Sequence, residues 1–99
     1  MIIVTVNFYP TKVHQENFLV AFNQLAETTR KEDGCISYEI HPKGDGSSAY
    51  FLFERWETKE KLEAHLATDH IARFGKVSKE WLEKESELSF YEATEIQLG

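Results

Sequence analysis

The stretch Tyr50-Phe51-Leu52-Phe53-Glu54-Arg55-Trp56 decides the fold. Aromatic and aliphatic residues dominate it, turn formers precede it (Pro42-Lys43-Gly44-Asp45-Gly46-Ser47-Ser48), and Thr58, a helix N-cap residue, follows it. That is the signature of a strand, residues 49–56, entered from a long hairpin loop. Both of its faces are apolar: Tyr50, Leu52 and Trp56 alternate with Phe51 and Phe53. A sheet with one wet face shows hydrophobic-in, polar-out alternation instead, so this strand predicts a sheet covered on both sides.

Working outward, residues 35–41 also alternate, with Ile36, Tyr38 and Ile40 against Ser37, Glu39 and His41, and form the other arm of the hairpin. Residues 13–31 change period. Phe18, Leu19, Phe22, Leu25, Ala26 and Thr29 fall on one helical face, and Gly34 suits a left-handed stop beyond it. Residues 2–9 form a first strand, ended by Pro10, with Ile2, Val4, Val6 and Phe8 on one side and Ile3 and Tyr9 on the other. Downstream, Thr58 caps a helix whose inward face is Leu62, His65 and Leu66. A further helical pattern, Ile71, Phe74, Val77, Ser78, Trp81 and Leu82, is separated from it at Thr68 or Asp69, and a last strand spans roughly 88–97. The order β-α-β-β-α-(α)-β is that of a ferredoxin-like α+β fold: a four-stranded antiparallel sheet with helices on one face. Helices on one face leave the other bare, and a second copy of the sheet is its simplest cover. The expectation is a homodimer with sheets packed face to face.

Composition narrows the function. With 99 residues, 41% of them hydrophobic, the chain makes one domain, residues 1–99; a chain of this size buries roughly two thirds of its unfolded surface. The net charge of −6 speaks against nucleic acid, whose phosphates require a basic face. The single cysteine, Cys35, can form neither an internal disulfide nor a CxxC metal site, which fits a reducing cytoplasm. The opening Met1-Ile2-Ile3-Val4 reads as strand rather than signal peptide, and no apolar stretch is long enough to span a bilayer.

Few residues can carry chemistry. Asn7 places an amide in an apolar strand, where it is either satisfied by a neighbour or aimed at a substrate oxygen. His65 lies on the apolar stripe of its helix; it is a core residue or a general acid-base. His70 follows five residues later, about 500° of continuous helix, so the two should not share a face. Their spacing is not that of a zinc motif, and no metal is expected. Glu54, among aromatics, is either paired or raised in pKa, and Arg55 points away from it. Phe22, Tyr38, Phe51, Phe53, Phe74 and Trp56 are core residues that could also line a pocket for a flat apolar ligand.

The block Phe53-Glu54-Arg55-Trp56-Glu57-Thr58, Leu62, His65-Leu66-Ala67-Thr68-Asp69-His70 and Phe74 resembles the antibiotic biosynthesis monooxygenase family. The pattern is Glu-x-Trp ending a strand, a helix, then His-x-x-x-x-His leading to an aromatic. Asn7, Gly34 and a Tyr-bearing second strand extend the resemblance over nearly the whole chain. It implies a dimeric α+β barrel and, for its monooxygenase members, no metal and no flavin, the electron-rich phenol itself reducing dioxygen. Haem-degrading relatives are less similar: Asn7 matches theirs, but His65 stands where they carry Trp, and Gly75 near their ligand His. The resemblance implies a cofactor-free oxidation of a small aromatic quinol or polyphenol, with Asn7, His65 and His70 as catalytic residues. In that expectation the substrate enters between sheet and helices, against Phe22, Tyr38, Phe51, Phe53, Phe74 and Trp56, with Glu54 or His70 orienting the site. The alternatives are an isomerase or signal-processing enzyme of the same fold, and a ligand-binding dimer without turnover.

Overall fold

A computed structural model describes residues 1–99. The strands are β1 (Ile2–Phe8), β2 (Cys35–Pro42), β3 (Tyr50–Trp56) and β4 (Glu87–Glu92); the helices are α1 (Gln15–Thr29), α2 (Lys59–Leu66) and α3 (Asp69–Ser78). The four strands form one antiparallel sheet in the order β2-β3-β1-β4, the ferredoxin-like arrangement expected. No helix is long and apolar enough to cross a membrane.

Strand parity organises the molecule. Ile2, Val4, Val6 and Phe8 of β1 and Tyr50, Leu52, Glu54 and Trp56 of β3 point to one face and are buried there. α1 supplies Phe18, Phe22, Leu25 and Ala26 against them. Aromatic rings fill the centre: Phe22 stacks on Tyr38 at 5.6 Å between centroids and on Phe18 at 6.3 Å, and Phe8 and Phe74 pack edge-on to it. The odd-numbered residues Ile3, Thr5, Asn7, Phe51, Phe53 and Arg55 point the opposite way and are half-buried.

Three boundaries differ from expectation. α1 begins at Gln15, after a 3-10 turn over Lys12–His14, and ends at Thr29. Gly34 therefore lies in the turn into β2, where its φ of +88° suits glycine and a Cβ would collide with the Lys61 side chain. Trp81 belongs to a second 3-10 turn rather than to α3. β4 stops at Glu92 rather than 97 because Ile2 is its partner there, and β1 has only Met1 left, whose carbonyl accepts from the Ala93 N–H.

The break between α2 and α3 falls where a capping residue was available. Thr68 Oγ1 accepts from the Ile71 N–H and donates to the His65 carbonyl, closing one helix and opening the next. Thr58 likewise caps α2, accepting from the Lys61 N–H at 3.1 Å.

Candidate functional site

Glu54 sits in the middle of β3 on the helix side and is 5% exposed. Its only hydrogen bond comes from its neighbour on the same strand face, the Trp56 indole N–H, 2.9 Å from Oε1. No cation reaches it. Arg55 projects from the other face and donates to Ser37 Oγ at 2.9 Å. Burial pushes the Glu54 carboxyl up from the ordinary 4.5 to about 7; the Trp56 bond opposes this, and the Glu32 charge adds to it. A carboxyl that titrates near neutrality can both take and return a proton at physiological pH.

Glu54 opens onto a cleft of about 370 Å³ between the sheet and α3, lined by apolar side chains including Phe8, Tyr38, Leu52, Ile71, Phe74 and Leu88. The other charged lining residues, Lys79 and Glu85, are exposed at its rim. Tyr38, 2% exposed, offers a phenol whose pKa burial drives far above its usual value, so it stays protonated.

A second polar cluster adjoins this wall. Glu32, in the turn after α1, holds His65 of α2 and His70 of α3 on one oxygen: His65 Nδ1 and His70 Nε2 each lie 2.7 Å from Oε2. Both rings are placed to donate. His65 is 1% exposed and packs on Trp56 (centroids 4.6 Å apart) and edge-on to Tyr38 (5.7 Å). Its burial lowers its pKa against the pull of Glu32, which favours the neutral ring. The donor atoms of Glu32, His65 and His70 lie within 4.8 Å of one another, a set that suits a metal ion as well as a proton network.

The structure corrects the expected site in three respects. First, Asn7, Phe51 and Phe53 lie on the sheet face away from the helices, so they cannot share a helix-side pocket with Tyr38, Phe22 and the histidines. Asn7 Oδ1 accepts instead from Lys43 Nζ at 3.1 Å. Second, His65 and His70 do converge. The 500° argument assumed one continuous helix, and the Thr68 cap breaks it between them. Third, the cleft is bordered by Tyr38, Glu54 and Phe74, whereas Phe22 and Trp56, both 0% exposed, are packed behind it and His65 does not line it. Glu32 was missed altogether. It lies in a turn, outside any periodic pattern, and its partners are 33 and 38 residues away.

With this geometry in view, the chain belongs to the antibiotic biosynthesis monooxygenase family, whose sequence model matches residues 1–77. It is 33% identical over 66 residues to an uncharacterised protein of Bacillus subtilis, covering 64% of this chain and 63% of that protein, so the match spans less than two thirds of the relative's length. It is 26% identical over 86 residues to a protein of Escherichia coli named "Probable quinol monooxygenase", covering 79% of this chain and 83% of the relative. The solved structure of Rv0793 from Mycobacterium tuberculosis superposes with a TM-score of 0.89 at 23% identity, over 96% of each chain, which shows the shared fold.

Proposed function

We propose that the protein is a cofactor-independent monooxygenase that oxidises a small aromatic quinol or polyphenol with dioxygen in the cleft beside Glu54. The observation that carries this reading is a single buried carboxyl, titrating near 7, on the wall of an apolar cleft that suits a flat ring. Family membership and the name of the Escherichia coli relative support the reaction class.

Glu54 takes the phenolic proton. A phenol of pKa about 10 opposite a carboxyl near 7 makes the transfer uphill by about 4 kcal/mol, a step an enzyme can accommodate. The phenolate then supplies electrons to dioxygen. One oxygen atom bonds to a ring carbon, which loses its hydrogen, and the other leaves as water. A quinol plus dioxygen thus gives a hydroxyquinone plus water, four electrons passing from substrate to oxygen. Phe74 and Tyr38 hold the ring, and Glu54 returns its proton to the departing oxygen. His65 acts from behind the wall by packing on Trp56, which holds the Glu54 carboxyl, and His70 shares with it the Glu32 carboxylate.

The working unit in this proposal is a homodimer. Ile3, Phe51, Phe53 and Tyr91 give the bare sheet face an apolar character that a second copy would cover. Asn7 belongs to that face. The test is oxygen uptake with a panel of reduced quinols and naphthols, and ¹⁸O₂ to follow the inserted atom. Glu54→Gln should lower the rate by about 10² or more. Uptake no faster than autoxidation, or a variant within threefold of wild type, would refute the reading.

A further inference from the structure

We infer that Glu32, His65 and His70 form a binding site for one divalent first-row transition-metal ion, of which Zn²⁺ is the probe. The site is separate from the cleft and does not rest on the oxygen chemistry proposed above.

Three elements that meet nowhere in sequence each present one donor: the turn before β2, the buried face of α2 and the first turn of α3. Two imidazoles and a carboxylate are the donor set that zinc and ferrous ions take from proteins, with the remaining positions left to water. The burial is graded in the way such a site needs. His65 is sealed at 1% side-chain exposure, while Glu32 at 17% and His70 at 24% leave one side open for entry and for water ligands. The ring of His65 is fixed by Trp56 and Tyr38, so its Nδ1 is pre-aimed. No lysine or arginine is paired to Glu32: Lys61 is taken by Asp33, and Arg30 donates to the Tyr38 carbonyl.

The 2.7 Å edges from Glu32 to the two rings are hydrogen-bond lengths. A tetrahedral ion with bonds of about 2.1 Å has donor edges of about 3.4 Å, so its entry replaces two protons and opens each edge by about 0.7 Å. Glu32 is the group placed to give way, since it stands in a turn and only its carboxylate is held by the rings. Once bound, the ion would fasten the α2–α3 break to the start of β2.

The experiment is calorimetric titration of the tag-free, chelator-treated full chain with Zn²⁺, with Tm followed in parallel and Co²⁺ absorption as a coordination readout. Expected are one ion per chain at micromolar affinity or tighter and a Tm rise of about 5 °C or more at a hundredfold excess over Kd. Affinity should fall at least about tenfold in Glu32→Gln and in His70→Ala. Both substitutions are at partly exposed positions; near-UV circular dichroism of each variant reports folding independently. Absence of stoichiometric binding, or binding that both folded variants retain, would overturn the proposal and leave the cluster a hydrogen-bonded clasp.

Discussion

Replacing Glu54 by Gln should make the protein more stable at alkaline pH while lowering its proposed activity by about 10² or more. Sequence places this carboxyl between Phe53 and Arg55; the fold buries it with one hydrogen bond, from Trp56, and no cation. Its pKa therefore rises on folding from the ordinary 4.5 to about 7. A raised carboxyl pKa means that the folded state holds the proton more tightly than the unfolded chain. Stability from this group is complete below about 4.5 and is lost as pH climbs through about 7. The gap of about 2.5 pH units is worth about 3 kcal/mol, and at 5% exposure solvent screening does little to reduce it. Gln carries no charge at any of these values and keeps an acceptor for the indole N–H. Urea unfolding of wild type and variant from pH 4 to 8.5 measures the difference, and groups common to both cancel. The variant should gain about 3 kcal/mol relative to wild type between the two ends of that range, the change centred between the two pKa values. A flat difference across that range, or a variant that loses ground as pH rises, would show that Glu54 is not desolvated as described.

Further outcomes follow from the same geometry. Phe53→Asp places a charge at the centre of the bare sheet face; light scattering should give about 23 kDa for wild type, twice the 11.5 kDa chain, and the monomer mass for the variant. A wild type of monomer mass would refute the proposed pairing. Thr68→Ala removes both hydrogen bonds at the α2–α3 break and should cost about 1 kcal/mol in denaturant unfolding. Because Thr68 sets the angle between His65 and His70, the same variant should also weaken Zn²⁺ binding. Equal affinity would mean that the Glu32 contacts alone hold the rings.

Much of this protein was legible in its residues one stretch at a time. The two-sided apolar pattern of Tyr50–Trp56, the helical period from Phe18 to Thr29 and the Thr58 cap fixed element types and their order, and thereby the ferredoxin-like sheet. Those signals are local: a strand repeats every two residues and a helix every 3.6, so neighbours in sequence reveal the period. Parity also told that Glu54 and Trp56 share a face, though not that the carboxyl would find no cation.

The pattern of residues could not say which aromatic would meet which. Phe53 and Tyr38 look equivalent as aromatic pocket candidates, yet they stand on opposite faces of one sheet, because pairing register and helix placement decide which side becomes the interior. The convergence of Glu32, His65 and His70 is further from reach. It requires a two-residue helix break at Ala67-Thr68 and a turn 33 residues upstream of His65 to arrive at the same point. Local periodicity carries no record of such a meeting, since it is produced by the packing of α2 and α3 on the sheet after every local element is in place.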